Sequence, residues 1–336
     1  MRGTILTLVA VIGLAGCDGE NPFDPIEEAA QEDAGDAASP NAALPPGTAA
    51  PEPGTSIFRT EALDEDGGGF ARDIAYDAES DTFSVDNLAF DGAGTAYERG
   101  ERVSSLGPFA VYEADAVARD PQNDEPVGQF VYRAIYGVSE SGRTEFAIVR
   151  TGNYVGYGFG GFVYQRNGGV DLPTTGQGTY SGDYAGMRTF DGKTGLEYTT
   201  ADLTLQVDFE DFDDGAGVVG ALSNRRVFDL AGEDLTADVI ASINAQFDAN
   251  VTSLPTVRWV LNPGAVDANG EIAGEVFSTV PSVDGTVSDY ESGNYYAVMA
   301  GENASEIVGI IVIDGTDYRD TNAFAARETG GFIVTR

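Results

Sequence analysis

Apolar and polar residues alternate with period two along much of the chain after residue 56, the spacing of half-buried β-strands. The cleanest stretch is Asp202 to Phe209. Leu203, Leu205, Val207 and Phe209 fall on one side, and Asp202, Thr204, Gln206 and Asp208 on the other. One apolar and one wet face predicts an antiparallel sheet with solvent outside. A glycine-and-aromatic run from Tyr154 to Met187 shares the period. Val155, Tyr157, Phe159 and Val163 alternate with Gly156, Gly158 and Gly160. Glycine on one strand face marks a sharp bend, a bulge or close backbone approach, which curved sheets and small barrels need. Asn167-Gly168-Gly169 and Pro173 to Gly176 supply turns.

Further strands are predicted at 56–60, 81–90, 109–113, 218–228, 256–261, 271–278, 295–299, 306–313 and 330–334. Residues 129–136 and 145–150 form a hairpin around Ser139 to Gly142. Ile307 to Ile313 is nearly continuous apolar, which predicts burial on both faces. Residues 235–247 break the strand period. Leu235, Val239, Ile240, Ile243 and Phe247 sit at helical spacing with Asp234 placed to cap them. One amphipathic helix is therefore expected, packed on the sheet or closing one end of a barrel. Many short strands and one helix give an all-β fold: an antiparallel β-barrel of about eight strands with an adjoining small β-rich region. The outward faces carry Asp, Thr and Gln, which excludes an outer-membrane barrel with an apolar band.

The N-terminus obeys other rules. Arg2 is followed by the apolar stretch Ile5 to Leu14, too short for the ~20 residues of a spanning helix. Leu14-Ala15-Gly16-Cys17 then reads as a lipobox, with Cys17 acylated to hold the chain on a lipid bilayer. Residues 18 to 56 are rich in Ala, Asp, Glu, Pro and Gly and contain no Lys or Arg, the composition of a disordered tether. The expected organisation is signal 1–17, tether 18–56, small β-rich region 57–145 and barrel 146–336.

Composition narrows the function. The formal net charge is -37 over 336 residues, and 42% of residues are hydrophobic. There is core material enough, so the acidity belongs to surface and tether, where it repels nucleic acid. A salty medium accounts for such acidity more simply than a specific basic partner. No histidine is present, and Cys17 is the only cysteine. That removes Ser-His-Asp and Cys-His catalysis, the common zinc sites and any intramolecular disulfide. No cofactor, metal or catalytic residue is assigned, and the chain is expected not to be an enzyme. A carboxylate pair acting on envelope polymers is the enzymatic alternative. Asp208 to Gly215 and Asp267 to Glu271 are candidate Ca²⁺ ligand clusters, against the plainer reading of acidic turns. Gly156 to Gly161 partly mimics a dinucleotide loop, but no helix follows it.

Several stretches are similar to the barrel of transferrin-binding protein B-like surface lipoproteins. They are Gly158-Phe-Gly-Gly-Phe162, Leu172 to Gly186, Ala201 to Phe209, Val219 to Arg225 and Ala304 to Gly309. The resemblance covers about residues 145 to 336. It implies an eight-stranded barrel beside a smaller β-rich handle, a protein or small-solute ligand, and exposure on the outer membrane surface. Haem as that solute would have to use Tyr295-Tyr296. Asp18 after the acylated cysteine points instead to retention facing the periplasm. The leading expectation is a monomeric, lipid-anchored binding protein; a structural or protective lipoprotein without a ligand is the alternative.

Overall fold

The computed structural model describes residues 43–62, 72–86, 95–114, 120–125, 131–152, 156–210, 216–261 and 264–336. The expectations for the lipoprotein signal, for the tether up to residue 42 and for the acidic turn at 211–215 lie outside these residues.

Two β structures share one wall. An open sheet contains β1 (Ile57–Thr60), β2 (Arg72–Asp77), β3 (Thr82–Asp86), β4 (Ala96–Arg99), β5 (Ser105–Leu106), β6 (Phe109–Glu113), β7 (Arg133–Val138), β8 (Thr144–Arg150) and β9 (Gly160–Arg166). Its order is β1-β9-β8-β7-β6-β4-β3-β2, with β5 paired to β6. The predicted hairpin is β7–β8, in register from Val138 opposite Glu145 to Arg133 opposite Arg150.

The remaining strands close an antiparallel barrel of eight. They are β10 (Gln177–Phe190), β11 (Leu196–Asp208), β12 (Gly217–Phe228), β13 (Val257–Trp259), β14 (Glu271–Pro281), β15 (Val287–Ala300), β16 (Glu306–Asp317) and β17 (Phe324–Thr335). Closure pairs β10 with β17, so the last strand does meet an earlier one. The all-β barrel with an adjoining sheet is thus the observed fold.

The boundaries differ from the expected ones. The glycine-aromatic run does not lie in a single sheet: β9 belongs to the open sheet and β10 opens the barrel. Gly156 to Phe159 are not strand either. Tyr157 and Gly158 both have positive φ, 63° and 67°, so the chain turns there and the strand begins at Gly160. Period two among Tyr157, Phe159 and glycines was a pattern shared by a turn and a strand. At the other end, residues expected in the tether are packed. Gly47 bridges Arg59, Thr48 N–H donates to Phe58 O, and Thr60 N–H donates to Pro46 O, covering the free edge of β1.

Alternation in β11 is as read: Leu203, Leu205 and Val207 are buried, while Asp202, Thr204 and Gln206 are exposed. They join Tyr180, Leu222, Val257, Trp259, Ile272, Val276, Ile307, Ile311 and Phe332 in the barrel interior. Helix α1 (Thr236–Phe247) closes one end. Val239 and Ile243 pack with Val227 and Val280 from the strand ends. Asp234 Oδ1 accepts the Thr236 N–H, but the residue at the cap position is Leu235. The other end is filled by the turn Glu302–Ala304, whose Ala304 carbonyl accepts the Tyr180 hydroxyl at 2.7 Å.

The outer face of this wall is apolar too. Ala185, Met187, Tyr198, Val298, Val308 and Ile310 pack against Val111, Ile135, Phe146, Ile148 and Phe162 of the sheet. Burial of β16 on both faces is therefore as predicted. Adjacent glycines in β17 allow the approach. A Cβ at Gly330 would sit 2.1 Å from the Tyr184 ring inside the barrel, and one at Gly331 would sit 2.2 Å from the Phe146 ring of the sheet.

Opposite placement of neighbours in β11 gives a direct test. Leu205→Asp puts a charge into the barrel core and should cost several kcal/mol, comparable to the whole margin of a typical domain. Thr204→Asp should cost within about 0.5 kcal/mol. Urea midpoints of the two variants measure the difference.

Candidate functional site

The barrel interior changes character toward the helix-covered end. Bulges place Arg225 inward, 7% exposed, at the centre of a buried charge cluster. Its Nη1 and Nη2 donate to Glu291 at 2.6 and 2.9 Å, and Nη2 also reaches Glu328 at 3.2 Å. Ser278 Oγ donates to Glu291 at 2.7 Å; Tyr184 OH and Thr199 Oγ1 donate to Glu328 at 2.7 and 3.0 Å. Burial raises the Glu291 carboxyl, but the Arg225 guanidinium and the Ser278 hydroxyl outweigh it and hold the group below its ordinary value.

A second cluster continues to the barrel mouth. Glu197 accepts Arg188 at 3.1 Å and Arg319 at 2.6 Å. Asp317, fully buried, accepts Arg319 and Lys193. Burial opposes ionisation of Asp317, yet hydrogen bonds from Arg319 and Lys193 hold it well below the usual carboxylate range. Lys193, the single lysine of the chain, lies 4.2 Å from the Phe190 ring centre and also binds Asp320.

These contacts decide between chemistries. A glycosidase needs one carboxyl kept protonated as general acid. Glu291 and Asp317 are shifted the other way, and Arg225 ties Glu291 and Glu328 together. Glu291 and Asp317 are thus held ionised by their partners, which suits structural anions and not the general acid of such a pair.

The two prominent recesses among the described residues lie where the sheet meets the barrel, the first reaching the barrel rim at Lys193 and Glu197. One, of about 750 Å³, is lined by Arg102 and Arg133 of the sheet side and by Phe190, Lys193, Glu197 and Leu230 of the barrel side. The other, of about 630 Å³, is lined by Arg102, Leu106, Asp183, Asp202, Arg226 and Phe228. Arg102 lines both, so they form one trough. Its floor is apolar: Leu106 and Leu196 are buried there, and Phe228 and Leu230 half-buried. Arg133 is engaged by Glu113 at 3.3 Å and Arg226 by Asp234 at 2.6 Å. Arg102 is exposed and has no partner among the described residues. Glu101, Glu113, Asp229 and Asp320 also line the first recess, so the apolar floor has a mixed, mostly acidic rim in which Arg102 is the guanidinium without a partner.

Nothing in the sequence marked this trough. It is assembled from residues 101–107, Glu113, Arg133, residues 183–232 and Asp320, distant in sequence and ordinary in type, and only the topology joins them. Of the candidates the sequence did mark, Tyr295 and Tyr296 fall on opposite faces. Tyr295 is buried against Trp259, ring centres 5.3 Å apart, and Tyr296 packs toward the sheet, so the two cannot converge on one haem iron. Asp267 is a turn residue: Oδ1 accepts the N–H groups of Asn269 and Glu271 at 2.8 Å. Glu271 is buried and bonded twice to Arg59, each at 2.7 Å, which removes it from any Ca²⁺ set. Cys17 lies outside the described residues.

No family model and no curated protein matches the sequence. Among solved structures, the chain is similar to a double mutant of the vaccine antigen Transferrin Binding Protein B from Haemophilus parasuis Hp5. Identity is 13%, the TM-score 0.34, and the match covers 79% of this chain and 46% of that one. It is also similar to a mutant of that antigen from Actinobacillus pleuropneumoniae H49, at 15% identity and TM-score 0.29, covering 58% of this chain and 79% of that one. A structure described as a surface lipoprotein matches at 14% identity and TM-score 0.27, with 58% and 79% coverage. The chain spans less than half the length of the first of these.

Removing the central guanidinium should invert a pH dependence. With Arg225 present, Glu291 and Asp317 have depressed folded pKa values. Their stabilisation is complete above the unfolded value of about 4 and is lost as pH falls through the folded values. Arg225→Met leaves Glu291 and Glu328 buried without a counter-charge and should cost about 3–5 kcal/mol at pH 7. The variant should then gain stability from pH 7 to 5, because a carboxyl with a raised folded pKa binds protons more tightly folded than unfolded. Urea midpoints across that range check the sign.

Proposed function

We propose that this protein is a lipid-anchored lobe of the bacterial envelope that binds a partner molecule in the trough between sheet and barrel. The observation that carries the reading is where space is left. Both ends of the barrel are covered, its interior is packed with apolar side chains and paired charges, and the large recess lies where the sheet meets it. A filled barrel serves as a rigid support, and the recess beside it as the recognition surface. The fold has the architecture that the family resemblance implies, an eight-stranded barrel beside a smaller β sheet. That resemblance supports a binding role over catalysis and exposure at the outer surface. Lipid attachment is supported by the order of charge, apolar run, small residues and Cys17.

A protective lipoprotein without a ligand would have no need for an uncommitted Arg102 above an apolar floor. A photo-reactive residue placed at 102 should give a discrete cross-linked adduct on intact cells, and one at the exposed Glu79 should not. Adducts at neither position, or equally at both, would favour the ligand-free reading. For the anchor, Cys17→Ser should yield unprocessed precursor without acyl label; palmitate incorporation as in the parent would overturn it. Protease shaving of intact cells tests the face: digestion without permeabilisation is expected.

A further inference from the structure

Large apolar side chains exposed on this molecule are concentrated on one wall. Of seven among the described residues, five lie on or beside β12 to β15: Val219, Leu261, Phe277, Val283 and Val287, between 37% and 62% exposed. This wall faces away from the sheet, which packs on β10, β11 and β15 to β17. It is also where the barrel is thinnest, since β13 has three residues and pairs only Arg258 and Val257 with β12. Across that point the outward row is Ala221, Arg258, Phe277 and Ser292. It contains no acid, in a chain whose Asp and Glu outnumber Lys and Arg by 55 to 18. Arg258 is exposed and has no partner among the described residues. Beyond Ser292 the row meets Asp314 on β16, which is bonded to Arg327, and the other described acids nearest it are Glu275 and Asp202, each one pleat away on β14 and β11.

We infer that this wall docks on the surface of the bilayer that holds the anchor, with Val219, Leu261 and Phe277 entering the interface and Arg258 meeting a lipid phosphate. Charge complementarity selects the occupant: an apolar patch with one central cation fits a zwitterionic headgroup layer, whose phosphates lie over apolar chains. A second copy of this chain, acidic over most of its surface, would bring few cations to match Glu275, Asp202 and Asp314. The position of the chain entry agrees. Pro45 O accepts Arg59 Nη1 at 3.2 Å, and Arg59 is bonded to Glu271 at the start of β14. Phe277 lies six residues along that strand, roughly 20 Å away. On the tether reading of the sequence, the 27 residues from Cys17 to Ala43 would reach roughly 25–30 Å, so an anchored chain would bring this wall within range of its own membrane. Docking there would leave the sheet and trough turned away from the bilayer. The inference rests on the anchoring part of the proposed function.

The test separates the two. Cys17 is the sole cysteine and Trp259 the sole tryptophan. The chain from Cys17 to Arg336, which includes every described residue, is coupled through Cys17 to a maleimide-bearing lipid in phosphatidylcholine vesicles. Anchoring is then chemical, and failure of native acylation cannot affect the outcome. An indole is introduced as Phe277→Trp in a Trp259→Phe background, with Leu261→Trp as a second position should the first disturb folding. Brominated-chain lipids should quench it about two-fold, since interfacial side chains reach the headgroup–acyl boundary. Adding Arg258→Glu should abolish at least half of that quenching. Glu79→Trp, on the sheet, should show none. Indoles at 277 and 261 quenched no more than the one at 79 would overturn the inference, as would quenching indifferent to Arg258→Glu. Unquenched indoles whose emission changes with surface density of the protein would assign the wall to a second copy instead.

Discussion

The barrel wall that faces the sheet is buried on both sides, and this constraint governs most of what the sequence can be. A strand normally separates core from water, and alternation suffices. In β16, Ile307, Ile311 and Ile313 fill the barrel while Val308 and Ile310 fill the junction, so neither parity can be polar. A one-residue slip would exchange two apolar sets of different shape rather than expose one, and hydrophobicity alone specifies register weakly there. Shape has to do it. Gly330 and Gly331 each receive a ring from an opposite side, and exchanging them by one residue would bring Tyr184 and Phe146 against side chains with no room for either.

Polar contacts at the edge of the junction add the specificity that apolar packing lacks. Arg166 is fully buried and donates to Asn269 O of a barrel turn, to Met299 O of β15 and to Glu52 O and Thr55 O of the N-terminal segment. Arg59 pairs with Glu271 across the same boundary, and Ser141 and Thr144 donate to Glu306 at the tip of β16. A buried ion pair offers little net stability over an apolar pair of the same volume, because desolvation offsets the attraction. Misalignment, by contrast, leaves a charge buried alone and is heavily penalised. The sheet and barrel are therefore one rigid pair in a single arrangement, and a trough formed between them has fixed walls.

How much of this the sequence disclosed follows from which interactions are local. Leu203 to Phe209 has one wet face, and its periodicity showed strand, direction and core side. Val239 and Ile243 identified a helix, since a stripe at helical spacing has no use in a sheet. The run around Tyr157 misled because a φ-positive turn beside a strand can imitate alternation for four residues. The division between β9 and β10 was illegible for a different reason: strands on either side of it are both apolar, and partner choice is a long-range matter. Arg225, Glu291 and Glu328 were likewise hidden, because an inward charge breaks the alternation only when its neighbours are known to face inward. The trough left no local signal, as its two sides are brought together by the junction itself.

The distribution of basic residues links these observations. A chain this acidic has few cations to place, and nearly all described ones serve an internal partner: Arg59, Arg150 and Arg166 at the junction, Arg188, Lys193, Arg225 and Arg319 in the barrel. Each such cation neutralises carboxylates or carbonyls that burial would otherwise leave unpaired, so the scarcity of Lys and Arg costs the fold little. The surface is left with the uncompensated acids, and its field is negative almost everywhere. Against that field, a single unpaired guanidinium is a local reversal of sign with short range, screened beyond about 8–10 Å at physiological salt. It attracts an anion only once another force has brought the partner close. Arg102 stands above the apolar floor of the trough and Arg258 amid the apolar outer wall. In both places apolar contact supplies the approach and the cation selects what remains. The two cations without a partner among the described residues thus stand beside apolar area, which fits the recognition roles proposed for those two surfaces.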